Sequence, residues 1–327
     1  MFKTLLSSLI VVSIALYFAY PKVESIYQIE TLDDNLLVKI VELTPDILIR
    51  SYIRYSLAGR LEEQKSLSPE QRQAYIQDLK RRQFAIKTDE ANDQHYEVPS
   101  EYFQLVLGER LKYSGSFYEA PEDSLDQAEV TSLNNYIIRS GVDQPGVESV
   151  LDLGCGWGSF SLFAAARFPH IQFTGISNSV SQREYILGRA KELGLNNIQI
   201  ITGNIAELDL GENQYDRVVS IEMFEHMKNY DKLMEKIHRS LKPKGKLFVQ
   251  VFCHREYMYD FDGDSWMAKN FFSGGTMPSA DFLEYFLNGF EVENQYFENG
   301  QHYERVNNDW LKKHDTFEDK IMSIFND

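Results

Sequence analysis

Cysteine is scarce: the 327-residue chain has only Cys155 and Cys253, too few for a disulfide framework, which fits a reducing compartment. Positive charge is also in short supply. The formal net charge is −16 and no long Lys/Arg tract occurs, so a basic face able to grip a nucleic-acid backbone is not expected. Internal repeats and low-complexity tracts are missing as well. Apolar material is not: 43% hydrophobic and 13% aromatic residues supply a core for one elaborated domain or two, which excludes wholesale disorder.

One long uncharged run stands out. Leu5 to Tyr20 lies between Lys3 and Pro21-Lys22. As a helix it measures about 24 Å, short of the roughly 30 Å hydrocarbon core unless Thr4 and a snorkelling Lys3 join it. A membrane anchor is the expected reading. A cleaved signal peptide competes with it, although Tyr17 and Tyr20 stand where small residues are wanted. A helix buried against the rest of the chain is the third. Lys3 is balanced by Lys22 and Glu24, so orientation is not fixed by charge.

Residues 22–95 carry helical patterning. Ile40–Leu61 is interrupted by Pro45, and a second helix opens at Ser68-Pro69-Glu70-Gln71 with the elements of a capping box and runs to about Phe84. From Val147 strands and helices alternate. Strands are expected at 147–154, 171–177, 197–202, 215–221 and 246–252, with a turn at 242–245. Such alternation implies a mostly parallel sheet covered on both faces. Phe290–Phe297 is strand-like, and a last helix is expected to begin near Asn308. The expected fold is α/β, Rossmann-like: an anchor segment (1–22), a helical extension capping the active site (23–145), and a catalytic core with a C-terminal lid and helix (146–327).

The strand-to-helix junction reads Leu151-Asp152-Leu153-Gly154-Cys155-Gly156-Trp157-Gly158. Its glycines let the chain turn sharply and let a ligand approach the backbone. The spacing is neither that of a nicotinamide dinucleotide loop nor that of a P-loop. Asp152, Gly154, Gly156 and Gly158 are the candidate ligand residues of this loop, and the hydroxyl and amide side chains of Ser177, Asn178 and Gln182 at the end of the second strand could serve a ligand's hydroxyls. Cys253-His254 lacks the further ligands of a zinc site, and Asp260–Asp264 lacks the remaining positions of a calcium loop, so no metal is expected.

The D-x-G-x-G-x-G loop resembles motif I of the S-adenosylmethionine-dependent methyltransferases. Further segments extend the likeness: 92–99 (NDQHYEVP), 111–114 (LKYS), GISNSVSQ, SIEMFEHMKNY at 220–230, FFSGGTMPS at 271–279, and Asn299-Gly300-Gln301-His302-Tyr303. With these the chain, from about 40 to 315, resembles the cyclopropane-fatty-acyl-phospholipid synthase superfamily, nearest its coclaurine N-methyltransferase-like branch. The resemblance implies that Tyr113 and Ser114 close over the methionine part of S-adenosylmethionine and that Gly154 and Gly156 line it. It puts Ser177, Asn178 and Gln182 at the ribose, Asn204 and Ile205 at the adenine, and Ile221 at the sulfonium side. Glu225 and His226 would act on the acceptor, with Glu222 as a supporting carboxylate.

The physical logic is that an ammonium nitrogen has no lone pair, so a base must take a proton before nitrogen can attack a methyl group. In cyclopropane synthases a Tyr-Ser-Cys turn and a strand histidine help hold bicarbonate; here those positions are Gly115 and Gln250. The expected activity is methylation of a small-molecule amine. Lipid cyclopropanation is the alternative, and a non-catalytic cofactor-binding protein a third reading. The expected partners are an amine or lipid acceptor and, through Leu5–Tyr20, a membrane, with the catalytic part in the cytosol; a soluble cytoplasmic protein is the alternative.

Overall fold

Pro45 does not break a helix but precedes one. In the computed structural model, which describes residues 44–84, 98–261, 272 and 274–325, α1 runs from Asp46 to Ser66 with Pro45 as the residue before its first turn. The second helix, α2 (Pro69–Arg81), begins as the local signals require. Gln71 Oε1 accepts from the Ser68 amide at 2.8 Å and the Ser68 hydroxyl accepts from the Gln71 amide at 3.3 Å. It ends at Arg81, three residues short of Phe84. The Leu5–Tyr20 run lies outside the described residues, as do 92–97 and 262–271, including Trp266 and Phe271. Among the described residues no helix is long and apolar enough to cross a membrane.

The chain divides into two compact units, Met1–Gln73 and Ala74–Asp327. The second holds the sheet. Its elements are α3 (Ser100–Val106), α4 (Leu125–Ser140), β1 (Ser149–Leu153), α5 (Ser159–Arg167), β2 (Gln172–Ser177), α6 (Val180–Glu192), β3 (Ile198–Thr202), β4 (Tyr215–Ile221), α7 (Tyr230–Ser240) and β5 (Leu241–Gln250). Strand order is β3-β2-β1-β4-β5 and every pairing is parallel. β1 therefore meets its sequence neighbour β2 on one side and the later β4 on the other. In an open α/β sheet this switch point is where a crevice forms beyond the strand ends.

Alternation along β1 separates two cores. Val150 packs with Leu133, Tyr136, Ile137, Phe160 and Ala164 under α4 and α5, whereas Leu151 and Leu153 pack with Val218, Phe224, Leu233 and Ile237 under α7. α7 buries Tyr230, Leu233, Met234, Ile237 and Ser240, a spacing of three and four that leaves its charged residues outside.

Three sequence expectations are corrected. The turn at 242–245 is absorbed into β5 as an irregularity. Tyr215 pairs with Leu241 and Arg217 already with Lys246, and Lys244 takes a left-handed φ of 67°. Phe290–Phe297 forms no strand: Val292, Tyr296 and Phe297 are exposed, and among the described residues no strand pairs with it, although Lys246 reaches Glu293 by its side chain. Alternating side chains alone do not make a strand without a backbone partner. The C-terminal helix α8 spans Gly300–Thr316, starting eight residues before Asn308 because Asn299 caps it by accepting from the Gln301 amide. A short antiparallel pair, β6 (Tyr259–Asp260) with β7 (Thr276–Met277), and a terminal helix α9 (Glu318–Phe325) complete the unit.

Candidate active site

The glycine loop leaves β1 with positive φ at Gly154 (84°), Gly156 (51°) and Gly158 (78°). The three differ in what surrounds them. A Cβ on Gly154 would strike the Met223 side chain at 2.6 Å, and one on Gly158 would strike Ile186 at 2.7 Å, so both are packed against protein. A Cβ on Gly156 would have none of the described residues within 4 Å. That open space beside a bare backbone is where a ligand can lie against the loop. Two buried polar groups lack partners among the described residues: Gln182 Nε2 on α6 and, at the end of β3, Thr202 Oγ1. Gln182 is otherwise fixed, since Ser177 Oγ donates to its Oε1 at 2.7 Å while Ser179 caps α6. Open space at β1 and spare hydrogen-bonding groups at β2 and β3 fit a polar cofactor carrying hydroxyls and a base. Gly156→Ala is accordingly expected to leave the fold intact at a cost of about 1 kcal/mol and to weaken S-adenosylmethionine binding at least tenfold by calorimetry.

Asp152 is the fourth residue of β1. It is buried under α5, where Ser161 Oγ donates to its carboxylate at 2.6 Å, and burial pushes its carboxyl up to about 7. Asn204 opens the turn after β3 by accepting from the Ala206 amide at 2.9 Å, and Ile205 packs against the α7-side core while its carbonyl accepts from Lys236. Cys155 is buried, which pushes its thiol well up, so it is packing and not a nucleophile.

The acidic segment follows β4. Ile221 pairs with Gln250 of β5, Glu222 turns the chain with a left-handed φ of 51°, and Phe224–His226 form one 3₁₀ turn. Three donors meet the Glu222 carboxylate. The Gly115 amide (2.9 Å) and Gln250 Nε2 (2.7 Å) reach Oε1, and the Tyr303 hydroxyl (3.0 Å) reaches Oε2. Desolvation raises its carboxyl, while facing Lys112 and these donors pull it down. Glu225 is fully buried. Its Oε1 accepts from the Phe252 amide at 2.9 Å, its Oε2 has no partner among the described residues, and desolvation with the nearby Glu222 charge holds it well above the ordinary range. Two neighbouring acids in unlike surroundings are thus driven apart in proton affinity. His226 stacks on Phe272 at 4.3 Å, and Phe252 meets both Phe272 and Tyr303 at 6.0 Å, giving an aromatic wall beside the carboxylates.

The wall is fastened from behind. Lys228 is buried and pairs with Asp260 at 2.5 Å, which also holds Arg82 at 2.6 Å, so Asp260 ties β6 to the segment that follows the 3₁₀ turn. Tyr113 and Ser114 stand next to Glu222's amide donor. Tyr113 packs on Phe103 and Trp310, in the same cluster as Trp157 of the glycine loop.

Two residues here carried no assigned role in the sequence. Lys112, buried with its ammonium pulled down to about 8 by desolvation, donates to Ser114 Oγ at 2.8 Å and to the Gly115 carbonyl. Glu129, fully buried on α4, accepts from the amides of Gly108, Arg110 and Lys112. A glutamate in the otherwise apolar face Leu125, Ala128, Ser132, Leu133, Tyr136 was the available signal for the second.

A profile of the mycolic acid cyclopropane synthetase family matches residues 84–327. The (S)-coclaurine N-methyltransferase of Papaver somniferum is 36% identical over 282 residues, covering 84% of this chain and 80% of the relative. The pavine N-methyltransferase of Thalictrum flavum subsp. glaucum is 32% identical, covering 85% and 80%. A crystal structure of coclaurine N-methyltransferase bound to N-methylheliamine and SAH superimposes with a TM-score of 0.80 at 33% identity, covering 87% of this chain and 85% of that one.

Proposed function

We propose, from the premise that this chain belongs to the mycolic acid cyclopropane synthetase family and is an S-adenosylmethionine-dependent methyltransferase, that it methylates the amine nitrogen of a small molecule bearing a flat apolar ring. The observation that supports this most is the pair of carboxylates, half-buried Glu222 and buried Glu225, adjoining His226 and an aromatic wall at the end of β4.

S-adenosylmethionine supplies a methyl group activated by its sulfonium charge. The chain's part is alignment and desolvation. Gly156 leaves the backbone open to the cofactor, and Gln182 and Thr202 offer their unpaired groups to its hydroxyls and base. Glu222, already ringed by donors, faces the positive charge that the nitrogen carries before or after transfer. Glu225 accepts the proton, and burial favours that role by lifting its proton affinity toward that of an amine. His226 relays the proton outward. Phe252, Phe272 and Tyr303 flank the acceptor's ring and keep water from the nitrogen.

The bicarbonate arrangement of cyclopropane synthases fits less well. Gly115 and Gln250, at the positions of its cysteine and histidine, both spend their donors on Glu222. Incubation of the purified protein with methyl-labelled S-adenosylmethionine and a mixed panel of cyclic aromatic amines and unsaturated phospholipids tests the reading. Label is expected in amines. Label confined to acyl chains would replace this function with lipid modification.

A further inference from the structure

Glu222 holds a backbone conformation ordinarily left to glycine, φ 51°, and a non-glycine residue stays there only when its surroundings over-determine it. Three separate elements do so. The Gly115 amide comes from the loop after α3, Gln250 from the end of β5 and Tyr303 from α8, and their donors lie 2.9, 2.7 and 3.0 Å from the carboxylate oxygens. Gln250 Oε1 is buried without a partner, so among the described residues the side chain's hydrogen bonding is its one bond to Glu222. The Tyr303 ring lies where a side chain on residue 115 would begin, with a ring carbon 2.6 Å from an added Cβ; only glycine there admits the ring. Lys112 fixes the turn that presents the amide, through Ser114 and the Gly115 carbonyl.

We propose that Gln250 and Tyr303 are positioning residues for methyl transfer that act through Glu222: with the Gly115 amide they form a three-donor clamp that holds its carboxylate toward the acceptor amine. This rests on Glu222 being the partner of the acceptor's positive charge. The clamp is a small-carboxylate receptor in its own right, already filled by a side chain.

Glu222→Gly tests it, because glycine suits the left-handed backbone and leaves three donors around a cavity the size of formate. Titration with ¹³C-formate, followed by NMR, is expected to show binding to Glu222→Gly, and at least tenfold weaker binding when Tyr303→Phe is added. Formate is expected to restore at least tenfold of the methylation that Glu222→Gly loses. In the intact background, Tyr303→Phe and Gln250→Met should each lower kcat roughly 10- to 100-fold with the KM for S-adenosylmethionine unchanged.

Equal formate binding with and without Tyr303, or full kcat in Tyr303→Phe, overturns the clamp. If Glu222→Gly does not fold, the kcat values of the two single variants decide. A wild-type protein that methylates no amine, beside the expected formate pattern, removes the amine reading and leaves the clamp standing.

Discussion

Glu225→Gln is expected to lower kcat for amine methylation by roughly 10²- to 10⁴-fold, the range of a general base, while S-adenosylmethionine affinity stays within threefold. The amide keeps the oxygen that accepts from Phe252 and keeps the shape of the side chain, so only proton uptake is lost. Stability should hardly move, since the acid is buried with one oxygen unpaired and contributes little beyond its fit. The pH profile of the wild type carries the same message with a definite sign. A base works unprotonated, and burial together with the Glu222 charge places the Glu225 carboxyl well above 4.5. Activity is therefore lost as pH falls through that raised value, and the acid limb should lie well above the usual carboxylate range. Because Glu222 and Glu225 interact, the limb belongs to the pair. An acid limb near 4.5, or a Glu225→Gln enzyme at full rate, would assign the proton to another group.

Glu129→Leu is expected to produce the largest loss of stability of any single change considered, together with loss of S-adenosylmethionine binding. Its carboxylate accepts three backbone amides from residues 108–112. Leucine fills the space and leaves those donors without an acceptor. With the amides of the buried Gly108 and Lys112 costing about 1–3 kcal/mol each, a total near 3 kcal/mol and a fall in melting temperature of roughly 6–10 °C follow, read by calorimetry at pH 8. Glu129→Gln should not rescue fully, because its NH₂ group faces amide donors. The loop in question leads straight to Tyr113, Ser114 and Gly115, so the site should loosen with it. Glu129 adds a pH signature. Desolvation lifts its carboxyl to about 7 in the folded chain, against 4.5 without burial. Folding thus takes up a proton between those values, and this group's contribution to stability declines as pH rises across that window. The leucine variant should lack that slope, and a melting temperature unchanged by the substitution would show the amides finding water instead.

Local signals carried much of the architecture. Ser68 and Gln71 announced a helix start, the period-two and period-3.6 patterns from Val147 announced the sheet and its covering helices, and the glycine loop with the Glu222–His226 segment pointed to the ends of β1 and β4, which the strand order brings side by side. Signals that depend on a distant partner were illegible. Phe290–Phe297 alternates like a strand, but a strand exists only where a ladder forms. Glu222 drew notice only as a supporting acid, because its donors come from 107, 28 and 81 residues away along the chain. Nothing in a linear pattern says that Gly115, Gln250 and Tyr303 share one carboxylate.

The close approach of the Tyr303 ring to Gly115 has a consequence for anyone reshaping this enzyme. With 2.6 Å between the ring and the site of a new Cβ, neither position has a fitness of its own. A library that diversifies residue 115 alone will return glycine, and one that diversifies residue 303 alone will appear to tolerate only loss. Useful variants at this corner, such as those with a new acceptor range, lie off both single-substitution paths and are reached by drawing the two codons together.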